Sequence, residues 1–205
     1  MTSRGSKASG AGRRNGRLNR LDWLEAGQAI LCEHGIAGLK LAALTRRLHV
    51  STGSFYHHFP DFEAYLNAVA DHYTADQVRD ALRRAAEGTA DPLGRLRRIR
   101  TISLKTRLFQ LDSAMRVWAV TDARAAATMR SAERIVLEFV TQAFRDLGYA
   151  RDEAALRARL LLSANVARIE AAVPPAGKRF FKEALALLTR DAPALRPRLV
   201  AAKGG

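Results

Sequence analysis

From Leu21 onward, apolar residues recur at helical spacing, and no segment shows the two-residue alternation of apolar and polar residues that a half-buried strand requires. The first apolar face ends at Gly35, where the C-terminus of a helix is expected. The pattern therefore predicts an all-α chain without a β-sheet.

Glycine, proline and capping residues divide this pattern into nine predicted helices. Ser51 is the predicted N-cap of a short third helix, and Asp61 that of a long fourth helix reaching about Ala86. Pro92 suits the first turn of the fifth helix. The helices are predicted over residues 21–35, 41–48, 52–58, 61–86, 92–108, 112–120, 122–147, 152–173 and 178–190.

The charge balance indicates a polyanionic partner. The 205 residues include 34 Lys and Arg against 20 Asp and Glu, a formal net charge of +14. Such a surplus favours contact with nucleic acid or with an anionic membrane surface. Residues 1–19 contain five basic residues and no acidic one, and they are predicted to form a flexible basic arm. Two interpretations remain open for this arm: it binds along the phosphates of nucleic acid, or it serves only as a solubilising tail.

Several classes of protein are disfavoured by what the sequence lacks. The longest stretch without a charged residue, 48–60, is too short and too polar to cross a bilayer. The N-terminus lacks the apolar core of a signal peptide, so a cytoplasmic location is expected. The single cysteine, Cys32, cannot form an internal disulfide or a multi-cysteine zinc site. Because no nucleophile pair, metal cluster or phosphate loop is found, we expect neither an enzyme nor a bound metal or cofactor.

Three short helices within some 40 residues, the second and third joined by a tight turn, predict a helix-turn-helix. In that motif the last helix enters the major groove of DNA and presents its N-terminal side chains to the bases. The predicted recognition helix carries small residues at its front and no acidic residue, as a phosphate-lined groove requires. His57 and His58 point about 100° apart on a helix, which disfavours the alternative of a metal-binding pair.

The run Leu48–Phe59, LHVSTGSFYHHF, followed by Glu63 and Leu66, resembles the signature of the TetR/AcrR family of bacterial transcription regulators. That signature reads Gly-Val-Ser-x-Gly-x-Leu-Tyr-x-His-Phe and continues with an acidic residue and a leucine on the fourth helix. The resemblance covers residues 21–66. His49 departs from it, because the family usually has glycine at this turn, and a left-handed backbone is less comfortable for histidine.

The resemblance implies a set of DNA-binding residues. Thr52, Gly53 and Ser54 would face the bases or the adjacent backbone. Phosphate contacts would come from Tyr56, His57 and His58. The full predicted DNA-binding set is Lys40, Arg46, Ser51, Thr52, Gly53, Ser54, Tyr56, His57 and His58.

The resemblance also implies a division of the chain. The predicted segments are the basic arm at 1–19, the helix-turn-helix domain at 20–66 with its fourth helix continuing to about 86, a helical ligand-binding and dimerisation domain at 67–192, and a tail at 193–205. Ligand-binding candidates are the bulky apolar residues Phe109, Met115, Trp118, Met129 and Phe139. Dimer-interface candidates are Leu156, Leu160, Val166, Ile169, Phe181, Leu185 and Leu188. Burial in the chain's own core is the alternative interpretation for each of these residues.

The expected function is that of a homodimeric, ligand-responsive and sequence-specific transcriptional regulator, more specifically a repressor. Its expected partners are double-stranded DNA with a near-palindromic operator and a small-molecule effector, with no membrane involved. The alternative is a basic helical protein that binds membrane surfaces or nucleic acid without sequence preference.

Overall fold

The computed structural model describes residues 18–166 and 178–195, and all regular secondary structure within these ranges is helical. The all-α prediction is confirmed. The helices are α1 (Arg20–Gly38), α2 (Leu41–Leu48), α3 (Thr52–Tyr56), α4 (Phe62–His72), a π-helical segment (Tyr73–Val78), α5 (Arg79–Glu87), α6 (Pro92–Lys105), α7 (Leu108–Ala119), α8 (Ala123–Asp146), α9 (Arg151–Val166), α10 (Lys178–Leu188) and a 3-10 turn (Pro193–Leu195). None of these helices is both long enough and apolar enough to span a bilayer.

The chain forms two compact units, and the boundary lies between Leu66 and Asn67, within α4. The first unit contains α1 to α3 and the start of α4. The second contains the remaining helices. Three predicted features lie outside the described residues: residues 1–17 of the basic arm, Ile169 of the dimer interface and residues 196–205 of the tail.

Helix α1 begins at a capping box. The Asn19 side chain accepts a hydrogen bond from the Asp22 amide at 3.1 Å, and the Asp22 carboxylate accepts one from the Asn19 amide at 2.7 Å. The helical path is interrupted at Gly35, whose φ of 65° and ψ of −174° lie outside the helical region. Glycine tolerates this conformation because it has no Cβ. The predicted stop at Gly35 therefore coincides with a kink, and one further turn reaches Gly38.

The turn between α2 and α3 has a left-handed residue at its centre. His49 has φ 57° and ψ 45°. The Val50 amide donates to the Thr45 carbonyl at 3.0 Å, and the His49 amide donates to the Arg46 carbonyl at 3.4 Å. These bonds form a Schellman motif, which closes the C-terminus of α2 and turns the chain towards α3.

Replacing His49 with glycine is expected to stabilise the first unit. A non-glycine residue in the left-handed region costs about 1 kcal/mol, so His49→Gly should raise the free energy of unfolding by about 0.5–1 kcal/mol. Urea denaturation measures the change. His49→Ala keeps a Cβ and serves as the matched control, for which no such gain is expected. Equal stability of the two variants would contradict the assignment of strain to His49.

The long fourth helix is interrupted by the π-helical segment, whereas a single regular helix was predicted over 61–86. The buried side chains along this stretch include Ala70, Thr74, Val78 and Ala81, which keep the spacing of a regular helix. The pattern of burial therefore does not account for the π turn. The segment is bonded to the neighbouring helices, since the Tyr73 hydroxyl donates to Oδ1 of Asp112 on α7 at 2.7 Å and the Thr74 hydroxyl donates to the Thr128 carbonyl on α8 at 3.2 Å.

A break between α6 and α7 lies at Thr106 and Arg107, earlier than the predicted break between residues 108 and 112. Arg107 adopts φ 59° and ψ 19°, which ends the helical path. Its side chain donates from Nε to Oε1 of Gln110 at 2.8 Å, at the start of α7.

The second unit has a core built from α8, α9 and α10. Phe144, Leu147 and Leu161 are buried in it. Phe181 and Leu185 belong to the same core, and Leu188 packs against it. Phe181 and Leu185 are thus buried against the chain's own core, as the alternative interpretation expects, whereas Leu188 is only half-buried. The predicted role of these α10 residues in a dimer interface stays a prediction.

Candidate nucleic-acid interface

The front of the recognition helix α3 is exposed and uncharged. Ser51 precedes the helix in an extended conformation, and Ser51, Thr52 and Gly53 are all exposed. Within the described part of the chain, the Ser51 hydroxyl caps no backbone amide. Ser54 is half-buried, and its amide donates to the Ser51 carbonyl at 3.1 Å. The helix therefore presents hydroxyl groups outward at the end that would meet base edges.

An aromatic cluster beneath α3 fixes its position. Phe55 is fully buried, and its ring lies 5.4 Å from that of Trp23 in an edge-on arrangement. Phe59 stacks on Phe55 with centroids 5.3 Å apart. The Tyr65 hydroxyl donates to the Trp23 carbonyl at 2.9 Å, and burial raises the pKa of this phenol far above its usual range. These four aromatic residues together hold the recognition helix in place, and the contributions of Trp23 and Tyr65 were not predicted.

Gly53 is not required by the packing of the first unit. A Cβ built on Gly53 would approach only the Ser51 hydroxyl oxygen, at an ordinary contact distance of 3.7 Å. A glycine within a helix costs about 0.5–1 kcal/mol relative to alanine. No packing contact among the described residues of the first unit requires a glycine here and so offsets this cost. The first unit therefore has room for a side chain at position 53.

The aromatic and imidazole side chains at the end of α3 differ in their exposure. Tyr56 is 56% exposed despite its large ring, and His57 is also exposed. His58 is half-buried, with its ring 6.2 Å from that of Trp23. Tyr56 and His57 are thus free to reach phosphates, whereas His58 also contributes to the packing of the unit.

Two basic residues flank this surface without a partner in the described residues. Lys40 is exposed immediately before α2, and Arg46 is exposed in its last turn. The neighbouring Arg47 is paired with Glu33 on α1, because it donates two hydrogen bonds of 2.7 and 3.0 Å to the Glu33 carboxylate. These hydrogen bonds raise the pKa of the Arg47 guanidinium. Of the two adjacent arginines, Arg46 is the one available to a phosphate.

The charge surplus of the chain does not reside in the helix-turn-helix. Between residues 20 and 66 there are four basic residues, namely Arg20, Lys40, Arg46 and Arg47. The same stretch contains five acidic residues, namely Asp22, Glu25, Glu33, Asp61 and Glu63. The basic surplus therefore lies in other parts of the chain.

The second unit contains two cavities next to the π segment. One, of about 210 Å³, is lined by Gln77, Asp80, Ala81, Arg84, Ile102, Thr106, Leu108 and Leu111. The other, of about 350 Å³, is lined by Asp71, Thr74, Arg79, Ala127, Thr128 and Ser131.

Neither cavity is lined by the residues that were predicted to bind a ligand. Met115, Trp118 and Met129 are buried in the second unit, while Phe109 and Phe139 are half-buried. Their large apolar side chains contribute to internal packing, so the three buried residues are core residues in this structure.

Exposed apolar side chains lie on the last two helices. Leu156 and Leu160 on α9 are 55% and 51% exposed, and Val166 is the last described residue of that helix. On α10, Phe180 and Leu187 are 43% and 60% exposed. The residues predicted on α10, Phe181, Leu185 and Leu188, lie next to these exposed positions, since that helix is apolar on two faces.

Within the described ranges, no cluster of three or more His, Cys, Asp or Glu could hold a metal ion.

The N-terminal part of the chain is similar to known bacterial regulatory proteins. Residues 24–69 match the family model for bacterial regulatory proteins of the tetR family. The HTH-type transcriptional regulator BetI of Paraburkholderia xenovorans is 30% identical over 82 residues, which is 40% of this chain and 42% of that protein. BetI of Burkholderia cenocepacia matches with the same identity and coverage. The chain thus matches less than half the length of these relatives.

Solved structures share the fold over most of the chain. A transcriptional regulator from Rhodococcus sp. Rha1 superposes with a TM-score of 0.64 at 19% identity, covering 85% of this chain and 96% of that one. A TetR family regulator from Agrobacterium tumefaciens gives a TM-score of 0.63 at 16% identity, with 83% and 96% coverage. Reduced NemR of E. coli gives 0.62 at 20% identity, with 83% and 95% coverage. These similarities confirm a helix-turn-helix domain followed by a helical domain.

Proposed function

We propose that this chain, a member of the tetR family of bacterial regulatory proteins, is a sequence-specific transcriptional repressor that binds DNA as a homodimer and leaves its operator when a small molecule binds. The observation that carries the proposal is the exposed, acid-free front of α3, held on a buried aromatic cluster. A rigid base beneath a polar surface is what base readout in the major groove requires.

Two copies would read a near-palindromic operator. In a two-fold dimer the recognition helices face successive major grooves, about 34 Å apart along the duplex. Thr52 and Ser54 would contact base edges, and Ser51 and Gly53 would allow the backbone to approach closely. Tyr56, His57, Lys40 and Arg46 would bind phosphates and set the register. His58, which is half-buried, would add a further phosphate contact.

The division between base and phosphate contacts predicts different losses for two variants. Thr52→Ala should change which operator sequences are preferred, with a loss of about 1–3 kcal/mol on the best site and little change on random DNA. Tyr56→Phe removes only a hydroxyl and should weaken binding to operator and random DNA alike. Fluorescence anisotropy with both duplexes measures these losses. Equal losses for both variants on both duplexes would show that the assignment of contacts is wrong.

The homodimer is proposed to form through α9 and α10. Leu156 and Leu160 are one helical turn apart, and so lie on one face of α9. Phe180 and Leu187 are seven residues apart, and share a face of α10 for the same reason. Exposed apolar side chains on two neighbouring helices suit a four-helix interface between two copies.

Charged substitutions at α9 test this interface. The double variant Leu156→Glu/Leu160→Glu should raise the dimer dissociation constant at least a hundredfold, because it buries four like charges in the symmetric interface. Light scattering on a size-exclusion column measures the molar mass. Val117→Glu, at an exposed apolar position of α7, is the matched control and should stay dimeric. A double variant that remains a dimer would refute the assignment.

Release from the operator is proposed to follow from effector binding in the second unit. The two cavities beside the π segment are the candidate sites. The larger is lined mostly by polar residues, and the smaller by polar and apolar residues in equal number. A tenfold loss of operator affinity requires only about 1.4 kcal/mol of coupling between the two ligands.

A further inference from the structure

The smaller cavity of the second unit has an apolar part that three helices build together. It is lined by Ala81 of α5 and Leu111 of α7, which are buried, and by Ile102 of α6 and Leu108 of α7, which are half-buried. A hydrocarbon group that enters this part of the cavity leaves water, which favours its binding.

The volume of this cavity limits its ligand to a small molecule. At about 210 Å³, it has room for about seven water molecules of about 30 Å³ each. Pockets that hold drug-sized molecules are larger, at about 300–1,000 Å³. The apolar part of the cavity therefore fits a short hydrocarbon group and excludes a long chain or a polycyclic body.

A carboxylate and a guanidinium lie side by side in the polar part of the same cavity. Oδ2 of Asp80 and Nη1 of Arg84 are 3.6 Å apart, which makes an ion pair but is too long for a hydrogen bond. The two side chains are 42% and 51% exposed, so a ligand can reach both. Within the described ranges, the Arg84 guanidinium donates no hydrogen bond. The pair thus offers an acceptor and several donors to one ligand.

The charges around this pair cancel. Arg83 pairs with Asp80, and it donates to the Glu87 carboxylate at 2.8 and 2.9 Å. Together with Arg84, these side chains carry no net charge. Arg98 is not part of the lining, and its guanidinium donates to the Arg84 carbonyl near the C-terminus of α5, where a cation is favourable. A ligand with a single charge would be attracted by one member of the pair and repelled by the other, whereas a ligand with both charges is attracted by both.

We propose that this cavity binds an α-amino acid with an apolar side chain. The ammonium group of the ligand would donate to Asp80, and its carboxylate would accept from Arg84. Both charged groups of an α-amino acid are attached to one carbon, so they lie close together, as Asp80 and Arg84 do. The ligand side chain would contact Ile102, Leu108 and Leu111. This inference rests on the proposed function, because it gives the proposed effector a chemical class.

Calorimetric titration of the full-length protein without DNA tests the ligand class. L-Leucine is the probe, isocaproate lacks its ammonium group, isoamylamine lacks its carboxylate, and glycine lacks its side chain. Each analogue should bind at least fivefold more weakly than L-leucine, since each loses one of the three contacts. Absence of L-leucine binding at about 10 mM would overturn the proposal. An analogue that binds as tightly as L-leucine would overturn it as well.

A pair of arginine variants tests where the carboxylate of the ligand binds. Arg84→Gln should weaken L-leucine binding at least fivefold, because the carboxylate loses a charged donor. Arg79→Gln removes the same charge beside the larger cavity, and this matched control should change binding less than about twofold. Equal losses in the two variants would contradict the assignment of L-leucine to the smaller cavity.

Asp80→Asn gives a readout that a merely structural role would not change. Without the Asp80 carboxylate, the charges that remain around Arg84 are net positive. Isocaproate should therefore bind more tightly than it does to the parent, while L-leucine binds more weakly. The preference for L-leucine over isocaproate should fall at least fivefold, and circular dichroism checks that the variant is folded. An unchanged preference in the folded variant would overturn the role of Asp80.

The outcomes separate this inference from the proposed function. If L-leucine binds as described but leaves operator affinity unchanged, the amino-acid site stands and the proposed release from the operator at this site fails. If the protein protects no operator, the proposed function fails, and the titration without DNA still decides the ligand class.

Discussion

Gly53→Ala is expected to make the protein more stable and a poorer DNA binder. The Cβ enters open space beside the Ser51 hydroxyl, and alanine favours the helix over glycine by about 0.5–1 kcal/mol. The Tm of the first unit should therefore rise by a few degrees. The added methyl group lies at the exposed front of α3, where the helix would approach the base edges most closely. If the methyl group pushes α3 away from the bases, several contacts between the helix and DNA are weakened together. Operator affinity should therefore fall at least tenfold.

Thermal denaturation and operator titration on the same preparation measure the two effects. Ser113→Ala, at an exposed position of α7, is a matched control that improves helix propensity away from the interface. It should raise stability slightly and leave operator affinity unchanged. A Gly53→Ala protein with parental affinity would mean that the front of α3 does not approach DNA.

Removing the basic arm is expected to flatten the salt dependence of DNA binding. Residues 20–66 contain more acidic than basic residues, whereas residues 1–17 contain Arg4, Lys7, Arg13, Arg14 and Arg17 with no acid. Each phosphate neutralised contributes about −0.9 to the slope of log K against log salt. If all five charges bind phosphates, deletion of residues 2–17 should reduce the slope by roughly 4–5. At low salt, affinity should fall by at least tenfold on operator and random DNA alike.

Titrations between about 50 and 200 mM salt measure this slope. A second variant that keeps the length of the arm but replaces its five basic residues with glutamine is the control for chain length. It should behave like the deletion. An unchanged slope in both variants would leave the arm as a solubilising tail and place the phosphate contacts elsewhere.

The helix-turn-helix was predictable because local signals agreed with the fold. The α2 bounds of Leu41–Leu48 follow from an apolar stripe ended by a turn. Helix α3 begins directly after Ser51, as predicted, although the Ser51 hydroxyl caps no backbone amide among the described residues. The left-handed conformation of His49 was also anticipated, since the turn requires it whichever residue is present. In such a short motif, few alternative packings satisfy the same pattern.

The second unit was harder to predict because helical periodicity does not say what a helix packs against. Phe181 and Leu185 form one apolar face of α10, and Phe180 and Leu187 form another. Only the structure shows that the first faces the chain's own core. The same ambiguity affected Met115 and Trp118, whose size suits a ligand cavity and a core equally.

The π segment could not be predicted from the sequence, because the apolar residues Leu66, Ala70, Val78, Ala81 and Ala85 follow the spacing of a regular helix through it. Its side-chain bonds to α7 and α8 depend on tertiary contacts that the sequence does not show.

The proposed function depends on the reading of DNA sequence by α3. The most direct test is selection of bound fragments from genomic DNA by the purified full-length protein, followed by footprinting of the enriched DNA at about 150 mM salt, where binding by phosphate contacts alone is weak. We expect a protected near-palindrome with half-sites about one helical turn apart, and we expect Thr52→Ala to alter this protection. Salt-sensitive binding without any preferred site would contradict it, and would mean that the basic surplus and not the recognition helix binds DNA.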